Sequence, residues 1–230
     1  MSEKNFLNFH VLISHSPSCL NRDDMNMQKT AVFGGTRRVR VSSQSLKRAI
    51  RTSDYYKTNF IHSSDRTKQL GLLLDKYVAL LADKFPEAVV RSVISLVSGV
   101  KDIQPDTKGG AVAVWSVSEI GKYCEKFQKA QNAGLESTDI EKQFAKEFKK
   151  EFKGFNDAFQ NTVDLALSGR MATSGIMTSV DAALAVAHAI TTHTVDGDID
   201  WFTAVDDLTQ EEGETGSAHL DTQEFSSGVF

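Results

Sequence analysis

The clearest pattern of hydrophobic and polar positions lies at residues 38–41 (RVRV), where arginine and valine alternate. A period of two is typical of a half-buried β-strand. Ser42 and Ser43 follow, and their hydroxyl groups favour the start of a helix near Gln44. The pattern therefore predicts a basic strand that leads directly into a helix.

The predicted helix has an apolar face and a basic face. Leu46 and Ile50 are four residues apart and would dock on a sheet, whereas Lys47 and Arg51 would share a neighbouring, outward face. Cations beside the amide groups of a helix start can hold an anion, most commonly phosphate. The same spacing also fits an ordinary amphipathic helix with a solvated basic face, so both interpretations stay open.

The first 35 residues are less regular. β-Forming residues at 5–14 predict a strand that ends before Pro17. Residues 16–35 contain Pro, Asn, Asp and Gly without a sustained period, which predicts a long loop carrying Arg22 and Lys29. A loop of this length in a compact domain is typically functional or disordered.

Helical spacing dominates residues 62–160. Pro86 and Gly99 stand where a helix starts and stops, and helical spacing continues through 116–131 and 138–159. The phenylalanines at 138–159 repeat with the spacing of a buried helical face, which indicates core packing and not base stacking. The sequence predicts a helical insertion without a catalytic signature.

Two segments near the C-terminal third have no single interpretation. Residues 167–175 surround Arg170 and Met171 with small residues, which could admit a ligand or form a structural hairpin. Residues 181–195 mix helix and strand formers, and we predict a strand from about residue 185. His188 and His193 are spaced for hydrogen bonding and not for a metal pair.

The last segment is acidic and punctuated by glycine. Trp201 and Phe202 are adjacent within residues 196–220, among several aspartates, which predicts a projecting arm with an apolar tip. Such a tip could insert between bases or into another subunit. Residues 223–230 predict the start of a further strand that has no partner and leaves an exposed edge.

Composition and length place the chain among globular proteins with either one large domain or a compact domain that carries a sizeable insertion. Its 230 residues are 40% hydrophobic and 24% charged. It contains no apolar run of about eighteen residues and no signal-peptide pattern, and its two cysteines are too few for a disulfide framework. We expect a cytoplasmic protein that does not span a membrane.

The charge distribution points to a polyanionic partner. Residues 1–58 hold ten basic and four acidic residues, a net charge of +6, whereas residues 191–230 hold ten acidic residues and no Lys or Arg. The acidic end could meet the basic block of another copy, which would build a filament or ring. The two blocks could instead neutralise each other within one fold.

Five blocks of the sequence, in order, resemble one family: SHSPSCLNRDDMNMQK, FGGTRRVRVSSQSLKRAIR, LSGRMATSG, AHAITTHTVDGDIDWFTAVDDL and HLDTQEFSSGVF. They are similar to the CasC family of the Cas seven superfamily, the backbone subunits of Cascade, the type I-E CRISPR surveillance complex. The similarity covers both ends of the chain and weakens across the helical middle. It implies an α+β fold with an RRM-like (ferredoxin-like) palm, a helical finger insertion and a projecting thumb loop.

The resemblance also divides the chain into parts. It places the first part of the palm at residues 1–60, the finger at 61–180, a palm strand at 181–195, the thumb at 196–220 and the start of a further palm strand at 221–230. Family members extend beyond Phe230, so the chain is expected to be incomplete relative to them and is not expected to fold stably alone.

The function that the resemblance implies is a non-catalytic scaffold for antiviral defence. Copies of the chain would form a helical filament along one CRISPR RNA (crRNA), making a ribonucleoprotein with other Cascade subunits. Each thumb would displace a guide base and leave the bases between free to pair with a strand of target DNA. In such complexes pairing reads the sequence while the protein reads the backbone. No cofactor and no membrane are expected.

The resemblance carries roles to individual residues. The guide's phosphates and sugars would be gripped by Arg22, Lys29, Ser42, Gln44, Lys47 and Arg51. Arg170 and Met171 would lie near the displaced base, and Trp201, Phe202 and Thr203 would form the thumb tip. Arg38, Arg40 and Ser43 complete the predicted RNA-binding set, which includes no catalytic residue and no metal ligand.

Two other functions stay open. Related subunits in other CRISPR types cleave target RNA from the loop that corresponds to Asp23 and Asp24, and adjacent acids can hold Mg²⁺. No other acid is clearly placed to complete such a site, and Arg22 would compete for the carboxylates. A generic single-strand binder would show neither regular spacing on RNA nor ordered self-assembly.

Overall fold

The computed structural model describes residues 6–60, 63–135, 140, 162–171, 177, 179–205 and 217–230; for 203–205 and 217–221 it describes the backbone alone. The chain divides into unit 1, Met1–Ala49 with Val186–Phe230, and unit 2, Ile50–Ala185. Every described strand pair is antiparallel. This confirms the predicted α+β class and is consistent with an RRM-like fold.

The described elements follow one another in this order: β1 (Ser14–Ser18), β2 (Thr30–Phe33), β3 (Thr36–Val41), α1 (Ser43–Thr52), α2 (Asp54–Asn59), β4 (Asp65–Gln69), α3 (Leu70–Leu81), α4 (Glu87–Ser98), β5 (Lys108–Trp115), α5 (Val117–Asn132), α6 (Val163–Ser168), β6 (Ala189–Ile190), β7 (Asp198–Val205) and β8 (Ser217–Val229). The predicted basic strand and the helix after it are β3 and α1. Their assignment to a palm, and the finger and thumb boundaries, stay predictions.

Unit 1 contains two three-stranded sheets, with strand orders β1-β8-β7 and β2-β3-β6. Its buried side chains are few, and they include Val39, Val41, Thr191 and Val195. The predicted strand from residue 185 is reduced to β6, which pairs with Arg40 and Val41 of β3. The expected loop at residues 16–35 instead contains β2 and a tight turn at Gly34 and Gly35.

The described residues of the acidic C-terminal segment, which was predicted to be a projecting arm, form a β-ribbon. The β7–β8 ladder runs from Asp198 opposite Phe225 to Val205 opposite Ser217. Isoleucine, tryptophan, phenylalanine and threonine in these strands favour pairing, and this preference prevails over the aspartates between them. The prediction that the last strand has no partner is also wrong, because β8 pairs with β1 as well as β7.

The first strand lies later in the chain than predicted. β1 covers Ser14–Ser18, so it includes Pro17, whereas residues 6–13 are assigned to no strand. The β1–β8 register shifts between His15 and Ser18. Proline lacks a backbone N–H, and an irregular point in the ladder tolerates that loss.

Unit 2 packs four helices, α3 to α6, with the antiparallel pair β4–β5 around the main hydrophobic core. Tyr77, Trp115, Tyr123 and Phe127 are buried there with leucine, valine and isoleucine side chains. The predicted helices at α3, α4 and α5 are confirmed, and Gly99 ends α4 with a φ of +74°. The expectation of a purely helical block is wrong because the alternating residues of β5 form a strand. The phenylalanine repeat at 138–159 lies outside the described residues, apart from Ile140.

A buried ion pair joins α5 to the segment after α6. Arg170 donates to both carboxylate oxygens of Glu119, at 2.6 and 2.8 Å, and to the carbonyl of Val114 at 3.0 Å. The Tyr123 hydroxyl donates to Glu119 at 3.1 Å. Burial acts to lower the pKa of Arg170, but the hydrogen bonds and negative charge of Glu119 outweigh it and raise that pKa above its ordinary value.

A second buried carboxylate is held by hydroxyl and amide donors, with no cation beside it among the described residues. Asp164 accepts hydrogen bonds from the backbone N–H of Ser64 at 2.9 Å and from the Tyr56 hydroxyl at 3.2 Å. Burial, aided by the charge of Asp164, raises the pKa of Tyr56 to about 12. In the described part of the chain, no helix combines the length and apolar character that a membrane span needs.

Glu119→Ala should lower the free energy of unfolding by about 3–5 kcal/mol, because it leaves the Arg170 guanidinium buried without its anion. Urea denaturation followed by circular dichroism measures this loss. Glu87→Ala is the matched control, since Glu87 pairs with Arg91 at an exposed site, at 3.0 Å, and its loss should cost less than about 1 kcal/mol. Equal losses in the two variants would contradict the structural role of the buried pair.

Candidate nucleic-acid interface

The candidate interface is one face of the β2-β3-β6 sheet. Val39 and Val41 point into unit 1 and are buried, so the alternating Arg38 and Arg40 lie on the opposite face. Lys29 lies across the ladder from Arg40, whose backbone N–H donates to the Lys29 carbonyl at 2.9 Å. Residues opposite each other in an antiparallel pair share a face. We call the surface formed by Lys29, Phe33, Arg38, Arg40 and His188 the basic face.

Arg38 is fixed by two carbonyl groups and one aromatic ring. Its Nε donates to the Phe33 carbonyl at 3.1 Å, and its Nη1 donates to the Thr191 carbonyl at 2.8 Å. The guanidinium carbon lies 5.7 Å from the centroid of the Phe33 ring, within cation–π range. These partners are electrically neutral, so they orient the guanidinium without cancelling its charge.

Arg40 is oriented by His188. Its Nη1 lies 3.4 Å from the Nδ1 of His188, and the backbone N–H of Ser43 donates to the same nitrogen at 3.2 Å. Both neighbours can only donate, so Nδ1 is the acceptor and the proton of the neutral ring is on Nε2. The prediction that His188 is a hydrogen-bonding residue is confirmed, and its partners tie β6 to the start of α1.

The first turn of α1 is capped by protein groups. The Ser42 hydroxyl accepts from the backbone N–H of Ser45 at 3.3 Å, as predicted for a helix cap. Asn21 accepts from the Ser42 backbone N–H at 2.9 Å. Ser42 is buried and has a structural role at the helix start, and its contact with RNA stays a prediction that this burial does not favour. The Ser43 N–H is likewise occupied by His188, which weakens the prediction of a phosphate cradle at the helix start.

Further along α1, the cations have the predicted spacing. Lys47 and Arg51 are four residues apart and share a helix face, and Gln44 is exposed near the start. The helix has no buried residue. Leu46 is half-buried and Ile50 is exposed, so the predicted docking of this pair on a sheet is wrong.

The loop before β2 is ordered by its own side chains. Oδ1 of Asp23 accepts the backbone N–H groups of Met25 and Met27, both at 2.9 Å. Arg22 donates to the Asn26 side chain at 2.7 Å, which leaves Arg22 half-buried and beside the loop. One carboxylate oxygen of Asp23 is therefore committed to loop structure.

No metal site is apparent in the described ranges, which contain no group of three His, Cys, Asp or Glu side chains placed to hold an ion. The predicted alternative used Asp23 and Asp24 as Mg²⁺ ligands, and the described residues provide no third acidic or histidine ligand beside them.

The two residues predicted to flank a displaced base, Arg170 and Met171, differ in their exposure to solvent. Arg170 is only 5% exposed and bound to Glu119, so it has a stabilising role inside unit 2, and its contact with RNA stays a prediction that this burial does not favour. Met171 is 86% exposed. It also lines a cavity of about 290 Å³ in unit 2, beside Leu70 and Trp115. Met171 alone of the two is accessible.

Trp201 and Phe202 lie within β7, not at the tip of an arm as we predicted. Trp201 is 68% exposed and faces Thr222 across the ladder, and Phe202 is 41% exposed and faces Asp221. Being adjacent in a strand, they point to opposite faces of the ribbon. Thr203 continues the same strand. Residues 206–216, which follow β7 in the chain, lie outside the described residues.

Sequence reasoning missed three contributors to the interface. Asn21 forms a hydrogen bond at the start of α1, and Thr191 forms one with β3. Each bond joins residues far apart in the sequence, so no local sequence pattern predicts it. Phe33 is exposed at the β2–β3 turn. A signal for it does exist, because residues 25–53 contain seven cations and no acidic residue, and Phe33 is the sole phenylalanine among them.

Comparison with known proteins identifies relatives of the chain. The sequence model of the CT1975-like protein family matches residues 7–230. A solved chain of a "CRISPR RNA-guided surveillance complex, pre-nicking" is 28% identical, with a TM-score of 0.64 over 95% of this chain and 61% of that one. A second, of a "CRISPR RNA-guided surveillance complex", is 21% identical, with a TM-score of 0.50 over 95% and 60%, and supports the fold alone. This chain thus spans about three-fifths of their length. None of the curated proteins matches.

The His188 tautomer can be tested by ¹⁵N-resolved NMR of the imidazole at a pH at which the ring is neutral. We expect a protonated Nε2 and an unprotonated Nδ1, because Nδ1 accepts from Ser43 and Arg40. His188→Ala assigns the signal by its disappearance. His193 is the internal comparison, since its Nδ1 contacts the Thr192 hydroxyl, which can donate or accept. A proton on Nδ1 of His188 would contradict the geometry described here.

Proposed function

The chain belongs to the CT1975-like protein family, and on that premise we propose that it is a CRISPR RNA-binding scaffold subunit of a surveillance complex, of the CasC type found in type I-E Cascade. The solved relative at 28% identity comes from a complex that its title describes as CRISPR RNA-guided. The resemblance of the five sequence blocks supports the finer assignment to CasC.

The observation that carries the proposal is the positive charge of the basic face, which no carboxylate among the described residues contacts. The guanidinium groups of Arg38 and Arg40 are held by two carbonyls and an imidazole, all neutral. Neutral partners fix the position of a cation while its charge stays available for phosphate. The alternative, that the acidic end cancels the basic block within one fold, would place carboxylates against these groups.

The RNA backbone is the part of the ligand that such a face would contact. Lys29, Arg40, Lys47 and Arg51 would bind phosphates, with Gln44 and Arg22 near the sugars. Contacts of this kind position a strand without reading its bases, so the guide would stay free to pair with target DNA. Binding should be independent of sequence and strongly dependent on salt.

The β7–β8 ribbon is the proposed contact with a neighbouring copy. Ile199 and Trp201 alternate along β7 and are both exposed, opposite Glu224 and Thr222, so one face of the ribbon carries two apolar side chains beside polar ones. Exposed apolar side chains flanked by acidic residues suit insertion beside a basic surface on another copy. We infer that Trp201, Phe202 and Thr203 act there with Met171 near a displaced guide base, in a helical filament joined by other Cascade subunits.

The decisive test removes two lysines from the interface. Lys29→Ala with Lys47→Ala should weaken binding of single-stranded RNAs of unrelated sequence to the same extent, and should reduce the slope of log K against log salt by about 1 to 2. Fluorescence anisotropy at several KCl concentrations measures both quantities.

The matched control is Lys84→Ala with Lys101→Ala, which removes two exposed lysines of unit 2. It should leave the affinity and the slope unchanged. An equal loss in the control, or a loss confined to one RNA sequence, would count against backbone recognition by the basic face.

A non-catalytic scaffold should leave RNA intact. We expect no product when the protein is incubated with labelled complementary RNA and Mg²⁺, because one oxygen of Asp23 is committed to the backbone of its own loop. Gel electrophoresis detects cleavage. Product that appears with the natural chain and disappears with Asp23→Ala would establish the ribonuclease alternative, whereas product unchanged by that substitution would indicate a contaminating nuclease.

A further inference from the structure

We propose that Phe33 is a base-stacking residue, which holds one nucleobase of a single-stranded RNA at the tip of the β2–β3 hairpin. The inference rests on the proposed function and adds to it a contact with a base, where the other contacts are with the backbone. It begins from an exposed aromatic side chain in the most basic part of the chain.

The hairpin turn displays Phe33 outward. Gly34 and Gly35 occupy the turn with φ of +64° and +77°, a conformation that glycine adopts readily, and Phe33 faces Thr36 across the ladder. Phe33 is 60% exposed. Val32 beside it is also exposed but points to the other face of the hairpin.

One side of the Phe33 ring is already occupied by Arg38. The guanidinium lies 5.7 Å from the ring centroid and is held by the carbonyls of Phe33 and Thr191. The aromatic ring therefore has a defined partner on one side and is accessible on the other. A planar ring fixed in this way can stack a base at a low entropic cost.

The positive charge around Phe33 favours a negatively charged ligand. Residues 25–53 contain seven cations and no acidic residue, and Lys29, Arg38 and Arg40 share the face of Phe33. A base in a single strand brings phosphates on both sides, which match these cations. The β7–β8 ribbon of another copy would also bring negative charge, on its aspartates, so the test below includes self-association without RNA. We choose single-stranded RNA as the ligand because each of its bases lies between two phosphates, which matches an exposed ring surrounded by cations.

Phe33→Ala in the full chain should weaken binding of single-stranded RNA by about 5- to 100-fold, the usual effect of removing one stacked base. It should have little effect on an oligonucleotide of the same length with abasic residues, since that ligand offers phosphates alone. Phe33→Trp should retain the affinity for normal RNA. Anisotropy titration of both ligands gives the comparison.

Val32→Ala is the matched control, because it removes an exposed apolar side chain from the opposite face of the same hairpin and should leave both affinities unchanged. Thermal unfolding checks that each variant is folded. Phe33→Leu, which keeps the apolar volume and removes the ring, replaces Phe33→Ala if that variant does not fold.

Three results would overturn the inference. The first is that Phe33→Ala and Phe33→Leu bind RNA with the affinity of the natural chain. The second is that their affinities for normal and abasic oligonucleotides fall equally. The third is that they change self-association without RNA in sedimentation experiments, which would identify a contact between copies. If the Lys29→Ala, Lys47→Ala variant loses affinity while the Phe33 variants do not, this inference fails and the scaffold proposal stands. If the natural chain binds no RNA, both fail.

Discussion

The alternation of side chains along β3 is the constraint on which the interface depends. β3 pairs with β2 on one edge and β6 on the other, so its register is fixed twice. Val39 and Val41 must face the interior of unit 1, and Arg38 and Arg40 then necessarily share the outer face. A shift of one residue would bury the arginines and expose the valines. The position of the positive charge therefore follows from the burial of two valines.

The arginines of this chain show how the choice of partner determines the role of a cation. Arg170 is bound by the Glu119 carboxylate and neutralised inside unit 2, where it joins α5 to a segment 51 residues away. Arg38 and Arg40 are bound by carbonyl and imidazole groups, which orient them, and no carboxylate among the described residues contacts them. The first arrangement stabilises a fold, and the second provides a charged surface. The residue type alone does not distinguish them.

This difference also explains how far the sequence could predict the structure. Local sequence patterns were sufficient to predict β3, the capped start of α1 and helices α3, α4 and α5, because the residues that specify each element lie within a few positions of one another. They were insufficient where an element or side chain depends on a residue far away in the sequence. The pairing of β1 with β8 joins residues about 200 positions apart, and the burial of Arg170 depends on Glu119. The acidic composition suggested an arm with Trp201 and Phe202 at its tip, yet the β-forming residues place both side chains within a paired strand.

The Arg170–Glu119 pair restricts how these two positions can change over evolutionary time. Loss of either residue alone leaves its partner charged in an apolar interior, whereas replacement of both by apolar residues of similar volume is often tolerated. A lineage would have to pass through a destabilised intermediate to exchange them. Among homologues, positions 119 and 170 should therefore covary, as a charged couple or as an apolar couple, and the mixed combinations should be rare.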